Sequence, residues 1–299
     1  MDVAVVINPV SGRRGSASSG RSRAELAAGI LDAAGVAGEV FVTERAGHAF
    51  DLARAALAHG ATRVIAWGGD GTVNEVGRAL LFSPCALGII PAGSGNGLAR
   101  ALGTPTAPAA ALRHAMHAPV ARIDAGEIAG HVFLNVAGLG FDAHVAHAFS
   151  RRGGARGLQG YVRVVSRELF GYAPSTYRVQ FEGDATEHRA FLLSIANGPQ
   201  WGNGARIAPG ARLDDGLLDI VIADVPSAIA ALRQVPRLFT GTIDRAPGIV
   251  TRRTAAVTIT ADGPCCLHVD GEPVACDSRE VRASVHPGAL RVCSEEVRG

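Results

Sequence analysis

The chain opens with five consecutive apolar residues, Val3 to Ile7, closed by Asn8-Pro9. A short, largely β-branched run stopped by Asn-Pro predicts a buried strand. A loop of glycine, serine and arginine follows. Ser22-Arg23-Ala24-Glu25 then has the spacing of a capping box, opening a helix that ends at Gly35. The run "GEVFVTE" is strand-like, residues 47–59 are an alanine-rich helix, and "TRVIAWGG" is another buried strand. A helix over 72–82 and a strand at "ALGIIP" come next. Strands and helices alternating at these lengths predict a mostly parallel sheet covered on both faces.

After residue 118 the pattern changes. "ARIDAGEIAGHVFLNVAGLG", "STYRVQFEG", "HRAFLLSIANG", "GLLDIVIADV", "AAVTITADG", "CLHVDGEPV" and "ALRVCS" are short strands punctuated by glycine turns. Such punctuation predicts antiparallel β structure, a sandwich, with helical interruptions near residues 156–171 and 226–240. The expected fold class is an α/β domain over 1–118 and a β-rich domain over 119–299, divided at the proline-bearing "MHAPVAR". The last residues are free to pack back on the first domain. Two domains imply a cleft, where small ligands commonly bind.

Composition narrows the chemistry. The chain has 299 residues, 47% of them hydrophobic, and a net charge of +2, too mild a balance to argue for nucleic acid. All 29 basic residues are arginine, so a Schiff-base lysine, a P-loop lysine and a protein-kinase strand lysine are excluded. The five cysteines (Cys85, Cys265, Cys266, Cys276 and Cys293) follow no zinc spacing and read as reduced thiols of a cytoplasmic protein. The beginning "MDVAVVINPVSG" lacks the basic leader of a signal peptide, and no run reaches the length of a spanning helix.

Two loops concentrate the candidate chemistry. In "WGGDGT", Gly68, Gly69 and Gly71 open the backbone at a strand end and Thr72 starts a helix, whose first amides and dipole favour an anion. Asp70 is out of place beside a phosphate unless a divalent cation lies between them, which suggests a magnesium nucleotide. The plain alternative is a glycine turn in which Thr72 and Glu75 form a capping box. "PAGSGNGLAR" repeats the device with Gly93, Ser94, Gly95, Asn96 and Gly97, and it is neither a dinucleotide fingerprint nor a Walker loop. A third loop, "NPVSG", falls on the same sheet edge, where α/β folds bind ligands.

Six motifs, "INPVSG", "GGDGTVNEV", "PAGSGNGLAR", "NVAGLGFDA", "APGARLDDGLLDI" and "HVDGEP", stand in the order found in the diacylglycerol kinase catalytic-domain family. The chain resembles that family from Asn8 to Pro273. The family includes soluble bacterial lipid kinases, sphingosine kinases and ceramide kinases. The resemblance implies a phosphofructokinase-like nucleotide domain, a C-terminal β-sandwich, and ATP-dependent phosphorylation of a lipid hydroxyl in the cleft between them. It places Asn8, Ser11 and Gly12, then Gly69, Asp70, Gly71 and Thr72 with Glu75, then Gly93, Ser94, Gly95 and Asn96, at the nucleotide. ATP and magnesium are the implied cofactors.

By the same resemblance Asp270 and Glu272 form the acidic pair at the γ-phosphate. Asp270 serves as general base and Glu272 supports the metal, or Asp70 takes the base role as in the sphingosine kinase branch. Phosphoryl transfer depends mainly on placement and charge neutralisation, so either carboxylate suffices. From the residues alone, Asp270-Gly271 reads as a hairpin turn. The resemblance further implies a structural magnesium at Asp214, Asp215 and the Leu217 carbonyl, with Asp124 in its network, and sets Asp142 at the lipid headgroup. The second loop departs from the commoner bacterial form, GTGNDFAR, by Gly97 in place of the aspartate, which leaves a sphingoid base or another lipid alcohol open as substrate. Arg151, Arg152, Arg156, Arg163 and Arg167, interleaved with Leu158, Tyr161, Val164, Val165, Leu169 and Phe170, have the composition of a segment at a membrane surface. A core helix with a solvated arginine face explains them equally well. A homodimer stays open. The rivals are phosphorylation of a soluble nucleotide, as in NAD kinases with their GGDG loop, and a non-catalytic nucleotide or lipid binder. His144 and His147 lack a third ligand and read as ordinary histidines.

Overall fold

In the computed structural model, which describes residues 1–12, 17–151, 164–225 and 227–295, all five positions of β1 (Val3–Ile7) are buried. It sits between β2 (Gly38–Val42) and β3 (Arg63–Gly68), and β4 (Ala86–Pro91) continues the sheet in the order β2-β1-β3-β4, every pair parallel. Helices α1 (Ala17–Ala33) and α5 (Pro108–His117) cover one face. Their Ala27, Ile30, Leu31, Leu112 and Met116 pack with Val5, Ile65 and Trp67. Helices α2 (His48–Ala58) and α3 (Asp70–Leu80) carry buried faces of Ala49, Ala53 and Ala56, and of Val73, Val76 and Leu80. The short α4 (Gly97–Ala101) follows β4. These elements form one unit, residues 1–123 with the strand end from Gly288, so the division falls at Ile123/Asp124 where the sequence placed it at 118/119.

The second unit, Asp124–Pro287, is antiparallel. One sheet runs β12 (Ile249–Thr254), β11 (Leu218–Ala223), β10 (Leu192–Ala196), β7 (Val136–Gly140), β14 (Leu267–Val269) and β15 (Glu272–Val274). Against it lie β8 (Ser175–Phe181), β9 (Asp184–Ala190), β13 (Ala256–Ala261), β6 (His131–Phe133) and the parts of β5 (Val120–Ile128) and β16 (Glu280–Cys293) in this unit. Side chains of both layers share a core: Phe133, Val179, Ile259 and Val281 from one, Leu139, Ile195, Ile220 and Leu267 from the other. That is the expected sandwich. Helices α6 (Phe141–Arg151) and α7 (Ala228–Thr240) belong to this unit too.

Three local expectations change. Helix α1 begins at Ala17, so Ser22 lies inside it and no capping box forms there. Gly20 lets the first turn lie on Pro9, since a Cβ there would stand 2.8 Å from the proline Cβ, and this contact outweighs the local cap signal. Helix α3 begins at Asp70 after Gly69, which puts Thr72 within the first turn and removes its box with Glu75. Strand β12 was not legible, and of β9 only the end was, read in "HRAFLLSIANG" as one strand with β10, because each is an outer strand with mostly exposed, polar positions. The five cysteines are free thiols, and burial pushes Cys85 and Cys265 up to about 11.

Gly126 of β5 stands directly opposite Phe133 of β6, and a Cβ at Gly126 would fall within the phenyl ring. Phe133 is fully buried. Gly126→Ala is expected to lower unfolding free energy by about 1–3 kcal/mol through overpacking. Gly126→Ala with Phe133→Leu should recover part of that loss in urea unfolding, and two strictly additive losses would contradict the stacking.

Candidate functional site

Three loops leave the same edge of the parallel sheet, at the ends of β1, β3 and β4. The backbone stitches them together: Asn8 N–H donates to Trp67 O at 3.0 Å and Ala92 N–H to Gly68 O at 2.8 Å. Asn8 Nδ2 donates to Thr72 Oγ1 at 3.0 Å, which joins the first loop to the start of α3. Gly12 has φ +85°, and a Cβ there would stand 2.7 Å from Ala92 O, so only glycine fits. Arg23 of α1 locks the first loop: its Nη1 donates to Asn8 O at 2.8 Å and Ser11 Oγ at 2.9 Å, and its Nη2 to Ser11 O at 2.9 Å. Burial lowers the Arg23 pKa from its ordinary value, and the guanidinium lies 5.7 Å from the Trp67 ring centroid. Arg23 was not singled out in the sequence, where it is one of four arginines in a low-information stretch.

The second and third loops meet backbone to backbone. A Cβ on Gly93 would lie 2.7 Å from Gly69 Cα and 2.9 Å from Asn96 Oδ1. Asn96 sits at φ +51° and closes its own loop, accepting Gly93 N–H and donating to Gly93 O, each at 2.9 Å. Asp70 is the link: its Oδ2 accepts Asn96 N–H at 2.9 Å and its Oδ1 accepts Gly97 N–H at 2.8 Å. The carboxylate therefore occupies the first amides of α4. That changes the expected phosphate cradle, because Gly93, Asn96 and Gly97 already give their amides to side chains of the loops. What remains for an anion is Ser94, Gly95 and the first turn of α3, whose helical bonding starts only at Val73 N–H to Gly69 O, 3.0 Å.

Glu75, expected at the nucleotide, is engaged elsewhere. Its Oε1 accepts Gly47 N–H at 2.9 Å and its Oε2 accepts Ala49 N–H at 3.0 Å, so it caps the start of α2.

In the second unit Asp270-Gly271 is the turn between β14 and β15, with φ +48° and +85°. Two positive φ values in a two-residue turn suit a tight hairpin. Its carboxylate is folded onto the chain before β7: Oδ2 accepts Leu134 N–H at 2.9 Å, and Oδ1 accepts Asn135 and Val136 N–H, each at 3.0 Å. Glu272 is exposed at the start of β15. The hairpin reading of Asp270-Gly271 holds.

Asp142, expected at a headgroup, is buried with His268; the side chains are 8% and 6% exposed. His268 Nδ1 accepts Gly271 N–H at 3.4 Å, which leaves Nε2 to donate to Asp142 Oδ2 at 3.1 Å. Ser194 Oγ donates to the same oxygen at 3.3 Å. Gly138 makes room for the pair, since a Cβ there would overlap Asp142 Oδ2. Asp142 and His268 thus support the turn that carries Asp270.

Around the 213–217 turn, Asp124 Oδ2 accepts Gly216 N–H at 2.7 Å and Asp215 Oδ1 accepts Leu217 N–H at 3.1 Å. Asp214 is turned to Arg212 at 3.2 Å, and Arg253 lies 3.8 Å from Asp215 and 3.2 Å from Asp219. Burial raises the Asp219 pKa, against the lowering effect of Arg253. Among the described residues no three His, Cys, Asp and Glu side chains gather to hold a metal. A cation here would lean on Asp215 and main-chain carbonyls, oxygen donors of the kind magnesium takes. His144 bonds Glu168 at 3.0 Å and His147 bonds Leu267 O at 3.1 Å, as ordinary histidines do.

Replacing Asp142 by leucine leaves a buried imidazole N–H unpaired and is expected to cost about 2–4 kcal/mol in urea unfolding. Asp142→Asn keeps an acceptor and should cost less than half as much. Equal losses for the two variants would contradict the pairing.

Comparison with known proteins accords with this geometry. Residues 2–128 match the diacylglycerol kinase catalytic domain, and residues 135–294 match the YegS C-terminal NAD kinase beta sandwich-like domain. A Chromohalobacter salexigens protein named probable lipid kinase YegS-like is 34% identical over 86% of this chain and 84% of its own length. A Pseudomonas fluorescens protein of the same name is 37% identical over 85% and 84%. The crystal structure of a diacylglycerol kinase from Bacillus anthracis str. Sterne has the same fold, with a TM-score of 0.70 at 19% identity over 98% of this chain and 96% of that one. The chain belongs to the diacylglycerol kinase catalytic-domain family and carries its YegS-type C-terminal domain.

Proposed function

We propose that this protein is an ATP-dependent lipid kinase that phosphorylates a hydroxyl of a lipid alcohol: diacylglycerol, a sphingoid base or a related acceptor. The observation that carries the reading is the Asp70 junction, which holds two glycine loops in backbone contact at the ligand-binding edge of a parallel sheet. The nucleotide phosphates lie against the amides of α3's first turn, with Gly69, Gly71 and Thr72, and against Ser94 and Gly95. Asn8, Ser11 and Gly12 border them, while Gly93 and Asn96 shape the loop. In the reaction the acceptor oxygen bonds to the γ-phosphorus, the bond to the β-bridging oxygen breaks, ADP leaves, and the hydroxyl proton passes to a carboxylate or water.

Asp270 is the acceptor-side carboxylate, held by three amides, with Glu272 two residues on. Asp70 acts chiefly as a positioning residue, because both of its oxygens already accept amides. Magnesium bound with ATP would neutralise charge on the departing phosphate; Asp70 is the carboxylate of the first unit proposed to meet it, and Glu272 is proposed as a metal-supporting carboxylate of the second. A structural magnesium at Asp215 and the Leu217 carbonyl, with Asp124 beside the same turn, is the second metal proposal. No helix among the described residues is long and apolar enough to cross a membrane.

Labelled ATP offered with micelles of diacylglycerol, sphingosine, ceramide or phosphatidylglycerol should transfer label to at least one lipid and none to NAD. Label on NAD alone would replace this reading with a soluble-nucleotide kinase. Asp70→Asn sets an amide NH2 against a backbone donor and should weaken ATP binding by about tenfold or more. Asp270→Asn should leave ATP binding within about twofold and lower kcat by about 100-fold. The converse pattern would reverse the two roles.

A further inference from the structure

Helix α7, Ala228–Thr240, is built the wrong way round for a core helix. Its inward face is mostly small: Ala230 and Ala231 pack against the cluster of Phe141, Val145 and Phe191, and Leu238, its one large inward residue, against the cluster of Val136 and Ile207. Its large apolar residues face out, with Ile229 56%, Leu232 51%, Val235 39% and Phe239 60% exposed, and no residue of the helix is fully buried. At about 100° per residue these four and the exposed Pro236 fall in one stripe roughly 120° wide. Arg233 and Arg237 follow along one margin, and the helix holds no acidic residue. Arg206 lies beside its end, its Cδ within 3.5 Å of a Cβ built on Gly241. An uncovered stripe of large apolar side chains marks a docking surface.

We infer that α7 is the surface by which this protein settles on an anionic bilayer, its apolar stripe entering the headgroup boundary and its arginines meeting lipid phosphates. The inference rests on the lipid-kinase reading for its purpose. Charge decides the occupant. A two-fold contact between copies of this face would bring the Arg233 and Arg237 margins of the same basic helix together without a carboxylate on α7 to answer them. An anionic membrane answers every one of them, and long arginine stems reach up to the phosphates from such a stripe. The site differs from the segment near residues 151–170 that composition suggested. Residues 152–163 lie outside the described part. Val164 and Leu169 are buried with Phe191 and Val225, and of the segment's described large apolar residues only Phe170 is exposed.

The test is co-sedimentation of the full chain with vesicles of phosphatidylcholine alone or mixed with phosphatidylglycerol, beside light scattering and activity on a short-chain, monomeric diacylglycerol or sphingosine. The wild type should favour the anionic vesicles. Leu232→Glu with Phe239→Glu should weaken binding by about tenfold or more. Arg233→Gln with Arg237→Gln should weaken it about fivefold per arginine, a difference that disappears at about 0.5 M salt. Both variants should keep wild-type activity on the monomeric acceptor, which also shows that they fold. Unchanged vesicle binding in the Leu232/Phe239 variant overturns the inference and leaves the kinase reading standing. A wild-type dimer that the same variant splits overturns it in favour of a second copy. If the wild type phosphorylates no lipid yet binds vesicles in this pattern, the docking face is supported and the kinase reading falls.

Discussion

The ligand edge of the first unit depends on one carboxylate. Asp70 stands at the start of α3 and accepts the first two amides of the next helix at 2.9 and 2.8 Å. Without it, two glycine-rich loops would have to hold backbone contact near Gly69 and Gly93 against the conformational freedom that glycine brings. A charged acceptor bonded to two main-chain donors is worth more than a neutral pair, and it fixes both loops at once. The result is a closed junction in which Asp70 holds Asn96 and Gly97 while Asn96 closes its own loop on Gly93. The chain has no lysine, and Arg23 holds the first of the edge's three loops through Asn8 and Ser11.

The second unit uses the same device. Asp270 draws three consecutive amides, those of Leu134, Asn135 and Val136, onto a two-residue turn. The Asp142–His268 pair braces that turn from within the sandwich, and Glu75 does similar work at the start of α2. Carboxylates bonded to backbone donors thus set loop shape throughout, and the residues that look catalytic in sequence are also structural. Phosphoryl transfer tolerates this overlap, because it asks for placement and charge more than for a strong base.

Much of this was legible in the sequence because it is local. Buried β-branched runs such as Val3 to Ile7, the alanine-rich α2 and the Asp270-Gly271 turn each carry their structure within a few residues, and the fold class follows from their alternation. What was not legible is set by partners distant in the chain. Nothing near Glu75 in sequence announces Gly47 and Ala49, and nothing near Asp142 announces His268, so both were first placed by motif position at a ligand. Arg23 was lost inside a serine- and glycine-rich stretch whose helix starts earlier than its cap signal. The outward face of α7 shows in its periodicity, but only packing reveals that the small side chains go inward.

In the proposed kinase, the amides that Asp70 leaves unclaimed receive the triphosphate. Backbone amide resonances of the full chain, followed while ATP is added, test this most directly. Large shifts are expected at Gly71, Thr72, Ser94 and Gly95, with Asn96 and Gly97 moving little because their N–H groups stay bonded to Asp70. Shifts confined to other loops, or a response led by Asn96 and Gly97, would contradict it.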